Sequence, residues 1–111
     1  MTIPLSKTRR AGDALYLSGE LGFDAEGKIP EGIEAQTRQC IENIRAKLSA
    51  EGLDLSHVVS ATCYLTDPSD FAAFNAVYAE MFPEPYPTRT TVGCALMIDA
   101  KVEITVVAKV R

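Results

Sequence analysis

The chain has no tryptophan, a single histidine and only three cysteines in 111 residues. Cys40, Cys63 and Cys94 are odd in number, far apart and set in apolar surroundings, with no CxxC pair among them. That leaves a zinc site almost no ligands, and buried, reduced thiols of a cytosolic protein are the expectation. His57 stands beside Ser56 with no nucleophile pattern near it, so it reads as structural. A basic excess is also missing. The formal net charge is −4, and only Lys7, Arg9 and Arg10 approach a cluster. A nucleic-acid binder needs a basic surface to displace counterions, so no nucleic-acid partner is expected. No apolar run is long enough for a bilayer or preceded by a basic leader, so neither a membrane partner nor a signal peptide is expected, and the cytoplasm is the default. The four glycines from Gly19 to Gly32 form neither a GxxxxGK[ST] loop nor a strand–GxGxxG–helix unit, which excludes the common phosphate cradles.

What remains is an ordinary globular composition, 47% hydrophobic and 23% charged. The length suits one domain, residues 1–111, with a single core. Thr2 to Arg10 reads as an edge strand or arm, and Ala11-Gly12-Asp13 as a turn into a short strand over Ala14–Gly19, the two pairing as a hairpin. Gly19 to Gly32 reads as a loop with at most a small β-excursion. From Ile33 to Ala50 the apolar period becomes helical: Ile33, Thr37, Cys40, Ile41, Ile44 and Leu48 share one face. Gly52 followed by Leu53 fits its stop. Val58–Leu65 is a third strand. Asp67-Pro68-Ser69-Asp70 starts a second helix, with Phe71, Phe74, Tyr78 and Met81 on one face and Pro83-Glu84-Pro85 at its end. Two more strands follow, around Thr88–Val92 and Val102–Val107, joined by a short turn-like link. The order β-β-α-β-α-β-β predicts a two-layer α+β sandwich with both helices on one face.

A strand period of two assigns the faces. Leu15, Leu17, Val102, Ile104, Val106 and Ala108 are expected to face the helices. On the fourth strand Thr90, Val92, Cys94 and Leu96 are expected inward, leaving Arg89, Thr91 and Gly93 outside with Tyr16, Ser18, Glu103, Thr105 and Val107. An uncovered face so rich in apolar and β-branched residues predicts packing against copies of the same chain.

On that face two isolated charges attract attention. Arg89 reads either as a strand-edge ion pair or as a guanidinium fork for a small carboxylate. Glu103 reads either as a partner of Lys101 or Arg89, or as a carboxylate that manages a water molecule. Its value lies in sharing a face with Arg89, one strand away if the two strands pair. Ser18 can donate to a ligand or shape a turn, and Asn75 can support a neighbouring group or stand exposed. No metal ligand set or nucleophilic triad is present, so any chemistry is positioning and proton transfer with water.

Several stretches are familiar together: Leu17-Ser18-Gly19-Glu20-Leu21-Gly22, Gln36-Thr37-Arg38-Gln39 with Ile41-Glu42-Asn43-Ile44, Tyr64-Leu65-Thr66-Asp67, Phe74-Asn75-Ala76-Val77-Tyr78, Pro87-Thr88-Arg89 and Val102-Glu103-Ile104. In this order, from about Pro4 to the end, they resemble the RidA (YjgF) family of reactive-intermediate deaminases. The resemblance implies a chorismate-mutase-like α+β fold, a homotrimer with clefts between subunits, and hydrolysis of enamine/imine intermediates such as 2-aminoacrylate to 2-keto acids and ammonia, without metal or cofactor. It implies that Arg89 anchors the carboxylate of a small imino or keto acid and that Glu103 orients or activates water. It further implies that Thr91 offers its backbone and that Ser18, Gly19 and Asn75 line or support the cleft. Leu5 stands where many members have a cleft-closing tyrosine, Thr91 replaces a frequent cysteine, and the Met97–Ala100 turn is one residue short. Two rival readings are a keto-acid or amino-acid sensor without turnover, and the ribonuclease or translation inhibitor often attached to the family by name.

Overall fold

The computed structural model describes residues 2–110, so Met1 and Arg111 of the expected 1–111 domain lie outside the described residues. The elements are β1 (Thr8–Ala11), β2 (Ala14–Leu17), α1 (Ile33–Ala50), β3 (Val58–Leu65), α2 (Phe71–Met81), β4 (Thr88–Gly93) and β5 (Val102–Lys109). They form one five-stranded sheet in the order β1-β2-β5-β3-β4. The two helices pack together on one face, which is the expected two-layer α+β sandwich. Among the described residues no helix is long and apolar enough to cross a membrane.

The local signals act as the residue types dictate. Gly12 takes φ 59° in the turn that pairs β1 with β2, a conformation that costs glycine little. The α1 stripe of Ile33, Thr37, Cys40, Ile41, Ile44 and Leu48 is buried, with Gln36 beside it. At its end Gly52 sits at φ 76°. There the Leu53 N–H donates to the Leu48 carbonyl at 2.9 Å and the Gly52 N–H to that of Ser49 at 3.0 Å, a left-handed stop sealed by two buried leucines. Asp67 accepts from the Ser69 N–H at 2.9 Å and opens a short 3-10 turn, Pro68–Asp70, that leads into α2. His57 accepts from the Asp54 N–H through Nδ1 at 3.1 Å in a capping box, so its role is structural. The loop after β2 makes one bridge, Glu20 to Ile104.

The core lies between sheet and helices: Leu15, Leu17, Ala61, Cys63, Leu65, Val102, Ile104, Val106 and Ala108 from the strands meet Cys40, Ile41, Ile44, Leu48, Phe74 and Tyr78. On α2 the buried residues are Phe74, Val77 and Tyr78. Phe71, expected among them, is 46% exposed.

Two expectations for the last strands are corrected. β4 and β5 do not neighbour one another, because β3 lies between them. The chain leaves β3, crosses through α2 and returns as β4 parallel to β3, as a β-α-β connection requires. The second correction is of face. Ala61 pairs with Arg89, Cys63 with Thr91 and Leu65 with Gly93, and paired residues project to the same side. Ala61, Cys63 and Leu65 are buried beneath the helices, so Arg89, Thr91 and Gly93 are on the helix side. Thr90 and Val92 take the open face, and Val92 is 39% exposed. The strand ends at Gly93, so Cys94 and Leu96 belong to the following link. Cys94 is exposed rather than buried. An edge strand is only half covered, so its apolar residues do not report which face is inward.

The open face carries Tyr16, Val107, Thr105, Thr62, Ser60, Tyr64, Glu103, Thr90 and Val92. Thr105, Thr62 and Thr90 lie side by side across β5, β3 and β4. Among the described residues no helix covers this face, and Tyr16 is 50% exposed on it.

Candidate active site

The Arg89 half of the site is built on the helix side of the β4 edge. An Nη2 of Arg89 donates to Asn75 Oδ1 at 2.8 Å. The guanidinium lies 4.8 Å from the ring centre of Tyr78, 5.4 Å from that of Phe74 and 5.7 Å from that of Phe71. These rings hold the cation by their quadrupoles and strip water from one side of it. A guanidinium has five N–H donors, so the bond to Asn75 leaves a fork free to grip a planar carboxylate. Phe71, Phe74, Asn75 and Tyr78 follow helical spacing along one stripe of α2 and so meet the arginine together.

Beneath it, burial pushes the Cys63 thiol up to about 11, opposed by the charge of Arg89 and a hydrogen bond with the Thr91 side chain. Burial likewise raises the Tyr78 phenol to about 12, and its hydroxyl has no hydrogen-bond partner. Both remain protonated at neutral pH, so Arg89 is the one charged group in this half.

The Glu103 half belongs to the open side of the sheet. Glu103 lies between Val102 and Ile104, which point into the core. Its carboxylate rests against the backbone of Gly19, where a Cβ would collide with it. The partial burial of Glu103 raises its pKa from the ordinary carboxylate value. Gly19 is held near β5 because the Glu20 N–H donates to the Ile104 carbonyl at 2.7 Å and the Ile104 N–H to that of Glu20 at 2.9 Å. Ser18 Oγ donates to the Ser6 carbonyl at 2.6 Å, tying the arm that carries Leu5 to this loop. Leu5, Ser18 and Gly19 share the wall of a cavity of about 520 Å³ that reaches Gln39, Asn43 and Lys47 on α1.

The seven residues expected at one site therefore form two groups: Arg89, Asn75 and Thr91 at one edge, and Glu103, Gly19, Ser18 and Leu5 elsewhere. Arg89 and Glu103 do not share the face that strand alternation predicts for both, because the β3 register turns β4 over. The aromatic cradle of Phe71, Phe74 and Tyr78 was legible only as a core stripe. Its second role emerges once Arg89 is placed on the helix side.

Fold and site define a class: a small two-layer α+β protein presenting one guanidinium, backed by aromatic rings, at a sheet edge. Residues 2–110 match the family model described as Endoribonuclease L-PSP. The chain is 43% identical over 108 residues to a RutC family protein of Pyrococcus horikoshii, covering 95% of this chain and 86% of that one. It is 42% identical over 108 residues to the chloroplastic Reactive Intermediate Deaminase A of Arabidopsis thaliana, covering 95% of this chain and 58% of that protein. RidA from the Antarctic bacterium Psychrobacter sp. superposes with a TM-score of 0.93 at 40% identity, over 98% of this chain and 90% of that one. The chain belongs to the YjgF/RutC/RidA family.

Proposed function

We propose that the protein is an enamine/imine deaminase whose active sites form between copies of the chain in a homotrimer. Arg89 of one copy then faces Glu103 of the next. The observation that carries this reading is the incompleteness of each half. Among the described residues Arg89 has free donors and no counter-charge within its group, and Glu103 has no cation bonded to it and lies against Gly19. An open sheet face of tyrosine, valine and threonine supports self-association, since contiguous apolar surface of this kind marks an interface.

The chemistry asks little of the protein. Arg89 holds the carboxylate of a 2-imino acid through two parallel hydrogen bonds, which fixes the C=N carbon in place. Glu103 takes a proton from water as the oxygen adds to that carbon, giving a carbinolamine. Passed to the nitrogen, that proton makes it an amine; the carbinol O–H proton then follows by way of Glu103, so that ammonia leaves as the C–N bond breaks and the 2-keto acid remains. Water and imine are consumed, and keto acid and ammonia are formed in balance. The family's description names an endoribonuclease, but a net charge of −4 and scattered basic residues favour a small acid over RNA.

The test generates 2-aminoacrylate with a serine or threonine dehydratase and follows keto-acid formation. Acceleration that is lost in Arg89→Ala and in Glu103→Gln is the expected result. Saturable keto-acid binding without acceleration would identify a sensor, and RNA cleavage surviving Arg89→Ala would identify a nuclease.

A further inference from the structure

The guanidinium of Arg89 also forms part of the wall of a cavity. About 270 Å³ is enclosed by Asn75, Tyr78, Ala79, Tyr86, Pro87 and Arg89. This is just below the range of about 300–1,000 Å³ that encloses drug-sized ligands, and much more than a methyl group fills. Its walls are mostly apolar: the polar groups are the Arg89–Asn75 pair, whose Asn75 carbonyl is already engaged, and the hydroxyls of Tyr78 and Tyr86. A second apolar cavity, of about 210 Å³, lies further along β4 between Phe71, Thr91 and Val92, but the guanidinium is not on its wall. The first cavity is thus the apolar space that adjoins the guanidinium.

We infer that the Ala79–Tyr86–Pro87 cavity receives the substrate's side chain and makes the protein selective for imino acids with bulky apolar side chains, such as those from leucine, methionine or phenylalanine. This rests on the deaminase reading and adds the substrate class to it. The occupant follows from charge and apolarity together. The anchor is a cation and takes the carboxylate. The remaining wall is mostly carbon, and each methylene buried there improves binding about fourfold. No second cation lines the cavity, so the distal carboxylate of a glutamate-derived imine finds no partner and carries its desolvation cost uncompensated. An alanine-derived imine leaves the cavity unfilled.

The experiment compares imines made in situ by an L-amino-acid oxidase, with catalase present, from alanine, leucine, phenylalanine and glutamate. Wild type is expected to show a kcat/KM for the leucine-derived imine at least about tenfold above that for the alanine-derived one, the lower end of what a hydrophobic pocket achieves. Ala79 is exposed on α2, and leucine is a good helix former, so Ala79→Leu fills the cavity without disturbing the core. It should cut the leucine-to-alanine ratio at least about tenfold. A ratio near one in wild type, or an unchanged ratio in Ala79→Leu, overturns the inference. Calorimetric binding of the matching 2-keto acids reads the cavity without turnover: the leucine-derived acid should bind more tightly than pyruvate, and Ala79→Leu should erase the preference. A protein that shows this preference but hydrolyses no imine sinks the deaminase reading and keeps the cavity's role. Hydrolysis of the alanine-derived imine with no preference in either measurement does the reverse.

Discussion

Arg89 and Glu103 leave opposite faces of one sheet, with β3 between their strands: Arg89 pairs with the buried Ala61, while Glu103 alternates with the buried Val102 and Ile104. Within one chain the sheet itself separates them. If they act on one molecule, they come from two copies, and each half can be tested alone.

Arg89→Lys tests the fork. A lysine keeps the charge but loses the two parallel donors and the flat cation seated on Tyr78. Such a pair of charge-assisted bonds contributes about 1.5–3 kcal/mol per bond, so kcat/KM on 2-aminoacrylate should fall about a hundredfold or more. The helix stripe beneath stays packed, and circular dichroism should remain native. Retention of full activity by the lysine variant would remove the carboxylate anchor from the argument.

Two glycines separate function from stability. A Cβ on Gly19 meets the end of the Glu103 side chain, which can swing aside, whereas one on Gly22 would stand 2.7 Å from the Gln36 backbone carbonyl. Gly19→Ala should fold with a stability loss below about 1 kcal/mol yet lose at least tenfold in kcat/KM, since a misplaced catalytic group is costly. Gly22→Ala should cost about 1–3 kcal/mol of stability as an overpacked contact. Denaturant titration beside kinetics tells the two apart.

The titration of Glu103 sets a pH dependence. Burial raises its folded pKa above the ordinary 4.5. As a base it works only when ionised, so the acid limb of kcat/KM should have its midpoint above 4.5, and Glu103→Gln should abolish activity together with that limb. For stability the sign runs the other way from a paired carboxylate. Between the unfolded and folded pKa values the native chain holds a proton the unfolded chain has lost, so stability falls as pH rises through that window. Glu103→Gln should flatten that part of the stability profile, and chemical denaturation across pH 4 to 7, about the range of interest, checks it.

Much of this architecture is readable from residue types, and the reasons are local. Ile33–Ala50 forms because its apolar period is helical and Gly52 can adopt the left-handed stop. Asp67 and Pro68 mark the next boundary by the same local chemistry. Arg89 misleads because its orientation is set by pairing with Ala61, nearly thirty residues earlier, and alternation on a half-covered edge strand carries no sign. Phe71, Phe74 and Tyr78 look like plain core for the same reason: nothing in their own spacing says that a guanidinium lies over them. The residue identities at the candidate site were legible, while their division into two groups depended on a long-range register.

That division yields the sharpest test. Arg89→Ala chains keep the Glu103 half, and Glu103→Gln chains keep the Arg89 half. Each homo-oligomer should be inactive, because every cleft lacks one group. If the two are unfolded together in equal amounts and refolded, each cleft of a cyclic oligomer draws its Arg89 half from one chain and its Glu103 half from the next. A cleft is intact when the first is the Glu103→Gln chain and the second the Arg89→Ala chain, which random assembly gives about a quarter of the time. Refolded mixtures should therefore recover about a quarter of wild-type activity, whereas mixing without unfolding should recover none until subunits exchange. A site contained within one chain predicts no recovery under any regime, because no single chain in the mixture carries both groups. Refolded mixtures that stay inactive, while refolded wild type regains its activity, would return Arg89 and Glu103 to separate roles and leave the open face of the sheet without its proposed partner.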